Sequence, residues 1–404
     1  MKTLHAESIR EKEKYATGTD YTARTLDLAI KEALRKVDYA CETLGDRFAS
    51  HCSVNNVYQP DDNLKGWNQG FWTGILWLSY ELTGDEKYKN IAMGHIDSYC
   101  KRIEEAYERR VKDNFSTVGH DVGFLYSLSC VAAYKLTGDE AAKKAALMAA
   151  DHLLYRYHEK GQFIQAWGQI GDPNAYRLIV DCLLNIPILY WASEVTGDPK
   201  YADAAYKHFR TTVDVAIRED ASSFHTYYFD PQTGAPLKGV TKQGTSDDSC
   251  WSRGQAWIIY GMMLTRKYVN DPDAICICEA ATNFYLNRLP KDYVPFWDLV
   301  FTEEDKEERD SSAAAIAMCG ILELLKYLPE GDTKKLFGNA IDLTMESLYQ
   351  NYSTKDCPES NGLLLHAVYS KPNHVGIDEC NIWGCYFYLE ALMRMRNPRW
   401  SLYW

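Results

Sequence analysis

Three copies of one turn decide the architecture: Leu82-Thr83-Gly84-Asp85, Leu136-Thr137-Gly138-Asp139 and Val195-Thr196-Gly197-Asp198. Gly suits the left-handed stop of one helix, and Asp suits the cap of the next. Roughly four helical turns before each Gly stands a polar residue, Asn68, Asp121 and Asp181 in order. Looser copies run from Arg253 to Asn270-Asp271, from Ser311 to Gly331-Asp332 and from Asn381 to Asn397-Pro398. Six helices therefore share a polar start and a turn at the stop.

Between them the pattern alternates. Residues 26–44, 88–106, 141–157, 201–217, 274–289 and 334–352 have apolar positions at helical spacing. Residues 70–82, 122–136, 182–195, 256–268, 313–328 and 382–395 are apolar nearly all round. An amphipathic helix shows one face to water, whereas a helix apolar all round is buried. Strict alternation predicts an inner and an outer ring, an all-α (α/α)6 barrel forming one domain over residues 1–404. Residues 224–229 and 236–241 flank Asp230-Pro-Gln-Thr-Gly234 and predict a small β-hairpin in the long loop before Arg253.

Composition narrows the function. Aromatics make up 13%, with 29 Tyr and 11 Trp, a supply that by count goes first to core filling. A net charge of −12 without a basic run argues against nucleic acid, and an anionic substrate would need cations placed locally in the site. The 12 Cys are scattered without a CxxC pair, and Cys276 and Cys278 read with the rest as reduced thiols. Residues 1–15 lack an apolar signal region and no apolar run reaches membrane-spanning length, so a cytoplasmic protein with no membrane partner is expected. The sequence carries no signal for an oligomeric state.

The loops leading from outer to inner helices open on one side and carry the candidate chemistry. Asp121 and Asp181 each open an apolar inner helix. Each alone reads equally as a helix cap or a catalyst. At equivalent steps of neighbouring repeats, among Trp, His and Arg, the pair points to catalysis. Asp181, in the more apolar context, is the expected acid. Asp121, beside His120 and facing Arg253, is the expected charged helper. Trp67, Trp72, Trp167, Trp251 and Trp257 are either sugar-stacking walls or core. Arg253 is either a fork for a substrate carboxylate or a structural ion pair. His225 and Gln243 are candidate donors to ring hydroxyls. No His–carboxylate cluster has metal-ligand spacing, so no metal and no cofactor are expected.

The ordered motifs Trp67-Asn-Gln-Gly-Phe-Trp72, Gly119-His-Asp-Val-Gly-Phe124, Phe163-Ile-Gln-Ala-Trp167 and Gln243-Gly-Thr-Ser-Asp-Asp-Ser-Cys-Trp251-Ser-Arg-Gly-Gln-Ala-Trp257 resemble unsaturated glucuronyl hydrolases, glycoside hydrolase family 88. The resemblance runs from about residue 20 to Trp404. It implies an (α/α)6 barrel acting on oligosaccharides left by polysaccharide lyases, whose terminal uronate carries a C4=C5 double bond. It places the acid/base aspartate on Asp181 and the second on Asp121. Binding positions fall on His120, Trp167, His225, Gln243, Trp251, Arg253 and Trp257. Members preferring sulfated glycosaminoglycan fragments carry Ser-x-x-Ser-x-Lys near the C-terminus. Here Ser370 is kept, Asn373 and Val375 replace the second Ser and the Lys, and Lys371 or His374 is left as a substitute cation. Chondroitin- or hyaluronan-type disaccharides are the expected substrates. An unsaturated rhamnogalacturonyl hydrolase, a sugar epimerase and a non-catalytic sugar-binding toroid are the alternatives.

Overall fold

A computed structural model of the chain describes residues 2–19, 23–113 and 118–404. The first inner helix is Gln69–Thr83. The second runs Val122–Tyr126, a π turn Ser127–Val131, and Ala132–Thr137. The third is split into Cys182–Asn185 and Pro187–Thr196, because Pro187 has no N–H to continue the ladder. Ser252–Tyr268, Ser311–Leu324 and Ile382–Arg396 complete the set. Each packs on the next and the sixth packs on the first, so the ring closes. Ala23–Leu44, Glu86–Gly94 with Ile96–Asp113, Glu140–Tyr155, Lys200–Ala216, Ala274–Leu286 and Asp332–Ser347 lie outside.

The repeated turn works as its residues dictate. Gly84, Gly138 and Gly197 take φ of 71°, 75° and 74°, and each donates its N–H to a carbonyl of the helix it ends. The Thr hydroxyl receives the Asp N–H two residues on. The Asp carboxylate then accepts an N–H at the start of the next helix.

Glycine also sets how closely the inner helices approach. A Cβ on Gly123 would stand 2.3 Å from Asn185 Cα, and one on Gly70 would stand 2.1 Å from the Phe124 carbonyl oxygen. The four other inner-helix junctions each hold a similarly crowded glycine, at 74, 261, 320 and 384. Phe71, Phe124, Trp257 and Phe387, from four different inner helices, meet inside the ring, and Trp404 stacks on Phe387 at an interplanar angle of 4°. Much of the aromatic content thus fills the core.

Among the described residues four small antiparallel sheets lie in outer-to-inner connections, where the sequence predicted one hairpin. That hairpin, Thr226–Phe229 with Pro236–Val240, is joined by Arg177–Ile179. The others include Ala367–Ser370 with Val375–Glu379, and their two- to five-residue strands are too short for alternation to register. All four stand at the end of the barrel where the inner helices begin.

Two substitutions separate turn from junction. Gly138→Ala forces a side chain into the left-handed region, and chemical denaturation should show a loss of about 1–2 kcal/mol with activity per folded molecule retained. Gly123→Ala drives a methyl into the neighbouring helix, and the loss should be about 1–3 kcal/mol and be accompanied by lost activity.

Candidate active site

Asp121 and Asp181 occupy the N-cap positions of the second and third inner helices, yet neither side chain caps. At corresponding steps Asp310 accepts the Ser312 N–H and Asn381 accepts the Gly384 N–H. The helices that start at Asp121 and Asp181 leave both carboxyls available. They are brought together by the Gly123–Asn185 contact. Asn185 Oδ1 accepts the Phe124 N–H at 3.0 Å, and its Nδ2 donates to the Asp181 carbonyl at 3.3 Å.

His120 lies beneath the pair, almost wholly buried, with Nε2 3.5 Å from Asp121 Oδ1 and 3.5 Å from Asp181 Oδ1. Ligand atoms of the three residues fall within 4.8 Å of one another, a cluster that sequence spacing missed because Asp181 comes from the next repeat. By count it would admit a cation. Without one, burial opposes ionisation of both carboxyls.

Burial pushes Asp121 up to about 7, against the pull of Arg156, Arg102 and the Trp167 indole. Burial, and then the Asp121 charge, hold Asp181 well above the usual carboxylate range, with Arg253 pulling weakly the other way. Both carboxyls are thus held above the usual carboxylate range, and the arginine charges that oppose this most act on Asp121. The positive charge acting on Asp121 does not come from His120, where the sequence predicts it. Burial and the charges of Arg156, His208 and Arg177 hold His120 neutral, so it offers Asp121 no positive charge. Arg156 and Arg102 supply that charge from a side chamber of about 340 Å³ that opens onto Asp121. Arg156 also binds the Gln165, Gly168 and Val118 carbonyls and so ties the Trp167 loop to the segment before His120. It follows an outer helix, where nothing in the sequence marks it.

A cavity of about 430 Å³ opens over the two carboxyls. Trp67, Trp167, Trp251 and Trp257 line it with Gln243, Arg253, Ser370 and Asn373. Trp167 is the most exposed of the four rings at 39%. Tyr369, Lys242 and Val375 also line it. The first two went unmarked although each adjoins a marked residue, Ser370 and Gln243.

Five residues singled out from sequence lie off the cavity wall, the exposed His374 among them. Trp72 is 1% exposed and belongs to the core, because it falls on the packed side of its helix. His120 sits under the carboxyls. His225 is buried edge-on against Trp251 and accepts the Lys242 N–H at 2.9 Å, so it braces the wall. Lys371 turns to Glu308 and Glu307 and is neutralised there. Arg253 reaches the cavity but is not an open fork. Its Nη1 donates to Asp310 at 2.7 Å and to the Val368 carbonyl, and its Nη2 donates to the Tyr369 carbonyl and Gln243 Oε1. Gripping Gln243 by its oxygen leaves that amide's NH2 to donate.

The raised carboxyls carry a stability consequence. A carboxyl whose pKa rises on folding binds its proton more tightly in the folded chain. Stability is then greatest below the unfolded value, near pH 4, and falls as pH climbs toward the folded value. Asp181→Asn should therefore raise Tm at pH 8 and change it much less at pH 4. An equal shift at both pH values would contradict the assignment.

The family model for Glycosyl Hydrolase Family 88 matches residues 40–375. An unsaturated chondroitin disaccharide hydrolase of Streptococcus pneumoniae is 45% identical over 405 residues, covering 100% of both chains. An unsaturated glucuronyl hydrolase of Bacillus sp. strain GL1 is 41% identical over 372 residues, covering 91% of this chain and 96% of its own. The crystal structure of unsaturated glucuronyl hydrolase from Streptococcus agalactiae superposes with a TM-score of 0.95 at 45% identity, covering 100% of both chains. A mutant of that enzyme, solved in complex with dGlcA-GalNAc6S, superposes with a TM-score of 0.87 at 42% identity, again over 100% of both chains. With its barrel, its uncapped carboxyl pair and these matches in agreement, the chain belongs to glycosyl hydrolase family 88.

Proposed function

We propose that this enzyme removes the 4,5-unsaturated uronate from the non-reducing end of glycosaminoglycan disaccharides, with Asp181 as acid/base and Asp121 as its charged partner. The observation that carries the proposal is a pair of half-buried, uncapped carboxyls within 4.8 Å under a tryptophan-lined cavity. The relatives named for unsaturated chondroitin disaccharide and glucuronyl hydrolysis support the substrate class.

Asp181 delivers its proton to C4 of the vinyl ether, and positive charge develops at C5 and the ring oxygen. Ionised Asp121 stabilises that charge from across the gap. Water adds to C5 and returns a proton to Asp181. The resulting C5 hemiketal opens to a ketone, which leaves C1 as a hemiacetal that expels the remaining sugar. The Trp faces hold the sugar rings, and the Gln243 NH2 donates to an oxygen of the uronate. The 370–375 hairpin offers Ser370, Asn373 and Val375 to the cavity, with Asn373 Nδ2 bound to Ser370 Oγ at 2.8 Å and Lys371 neutralised. That wall favours an unsulfated neighbour sugar. The twelve free cysteines, most of them buried or half-buried, fit a cytoplasmic setting, and no described helix is long and apolar enough to cross a membrane.

Loss of the ultraviolet absorbance of the C4=C5 bond reads the reaction directly. Unsulfated chondroitin and hyaluronan disaccharides should lose it, while pectin-derived unsaturated disaccharides should keep it. Asp181→Asn should lower turnover by at least about 10³-fold with helical circular dichroism intact. Near-native turnover in that variant would reduce Asp181 to a structural residue.

A further inference from the structure

The proposed substrate class carries at least one carboxylate and the chain is strongly acidic, so an uncommitted cation at the cavity would be a natural anchor for it. Among the described residues only two cations line the cavity, Arg253 and Lys242. Arg253 is ion-paired with Asp310, and both of its terminal nitrogens are engaged by protein oxygens. Lys371, the nearby cation of the 370–375 hairpin, is held by Glu307 and Glu308. Among the described residues Lys242 Nζ has no ion-pair or hydrogen-bonded partner, and the side chain is exposed at the cavity wall.

Its backbone is fixed although its ammonium is not. The Lys242 N–H donates to His225 Nδ1 at 2.9 Å. On either side, Thr241 N donates to Asp247 at 2.7 Å, and the Gln243 side chain is gripped by Arg253. The loop beyond is pinned by Asp298, which accepts the Thr245 N–H and the Ser249 hydroxyl. A flexible ammonium on a rigid strap, with the carboxyls of Asp121 and Asp181 as the cavity's acids, is placed to meet a negative group on the ligand.

We propose that Lys242 is the anion-binding residue of this site, pairing with an oxyanion of the bound disaccharide. That oxyanion is the uronate carboxylate or a sulfate on the neighbouring sugar, which an ammonium recognises alike. The inference rests on the substrate class proposed above. It places the specificity cation outside the 370–375 hairpin, at the residue preceding Gln243.

Kinetics of Lys242→Gln and Lys242→Arg test it on three substrates: an unsulfated unsaturated disaccharide, its 6-sulfated counterpart, and the unsulfated disaccharide with its uronate esterified. Lys242→Gln should raise KM about tenfold on an anionic substrate, mostly without loss of kcat, and Lys242→Arg should restore it. A penalty on both anionic substrates that disappears with the ester identifies the carboxylate. A penalty confined to the sulfated one identifies the sulfate. No change on any substrate, or the same change on the ester as on the acid, overturns the proposal. Calorimetric binding of the three compounds to the same variants reads the contact independently of turnover. A wild-type enzyme that binds them through Lys242 without bleaching the double bond would fault the reaction and not the residue.

Discussion

The site depends on how closely the second and third inner helices approach. Gly123 has no Cβ, and Asn185 presses into the space where one would be. The same Asn185 accepts the Phe124 N–H and donates to the Asp181 carbonyl, so one residue fixes the starts of both helices. Two carboxyls then stand within 4.8 Å in a largely buried setting. At that distance and burial the charge on one raises the proton affinity of the other. The chemistry follows from a packing constraint.

The surrounding charges make the pair unequal. Arg156 and Arg102 act on Asp121 from its side chamber and leave Asp181 to its apolar surroundings. Arg253 is tied to Asp310, the cap of the fifth inner helix, and to the carbonyls of Val368 and Tyr369 in the 367–379 hairpin. Its fixed charge organises Gln243, Tyr369 and the Trp251 face, which stacks on the guanidinium at 4.4 Å. The barrel thus spends its buried cations on positioning groups that face the cavity.

The barrel itself was legible in sequence because its signals are local. The Thr-Gly-Asp turns, the alternation of amphipathic and apolar stretches and the polar first residue of each inner helix all lie within one helix or one turn. Asn68, Asp121, Asp181 and Asn381 fall on N-cap positions as counted, while Arg253 lies two residues inside the N-cap Trp251. What escaped was non-local. Whether Asp121 caps its helix depends on Asn185, some sixty residues on. The short strands at the mouth carry too few residues for periodicity. Trp72 and Trp67 differ only in which side of one helix start they occupy, and one is core while the other lines the cavity. The partners of Arg253 and Lys371 lie in other repeats, so sequence alone left both arginine readings open.

The central claim is that the helix junction makes the two carboxyls hold one proton between them near neutral pH. An infrared titration of the protonated-carboxyl stretch reads this, taken as wild type minus the Asp121→Asn, Asp181→Asn double variant. The account predicts a protonated carboxyl that persists at pH 7 and disappears only in more alkaline solution. Loss of the whole difference signal by about pH 5, as for ordinary solvated carboxylates, would contradict it.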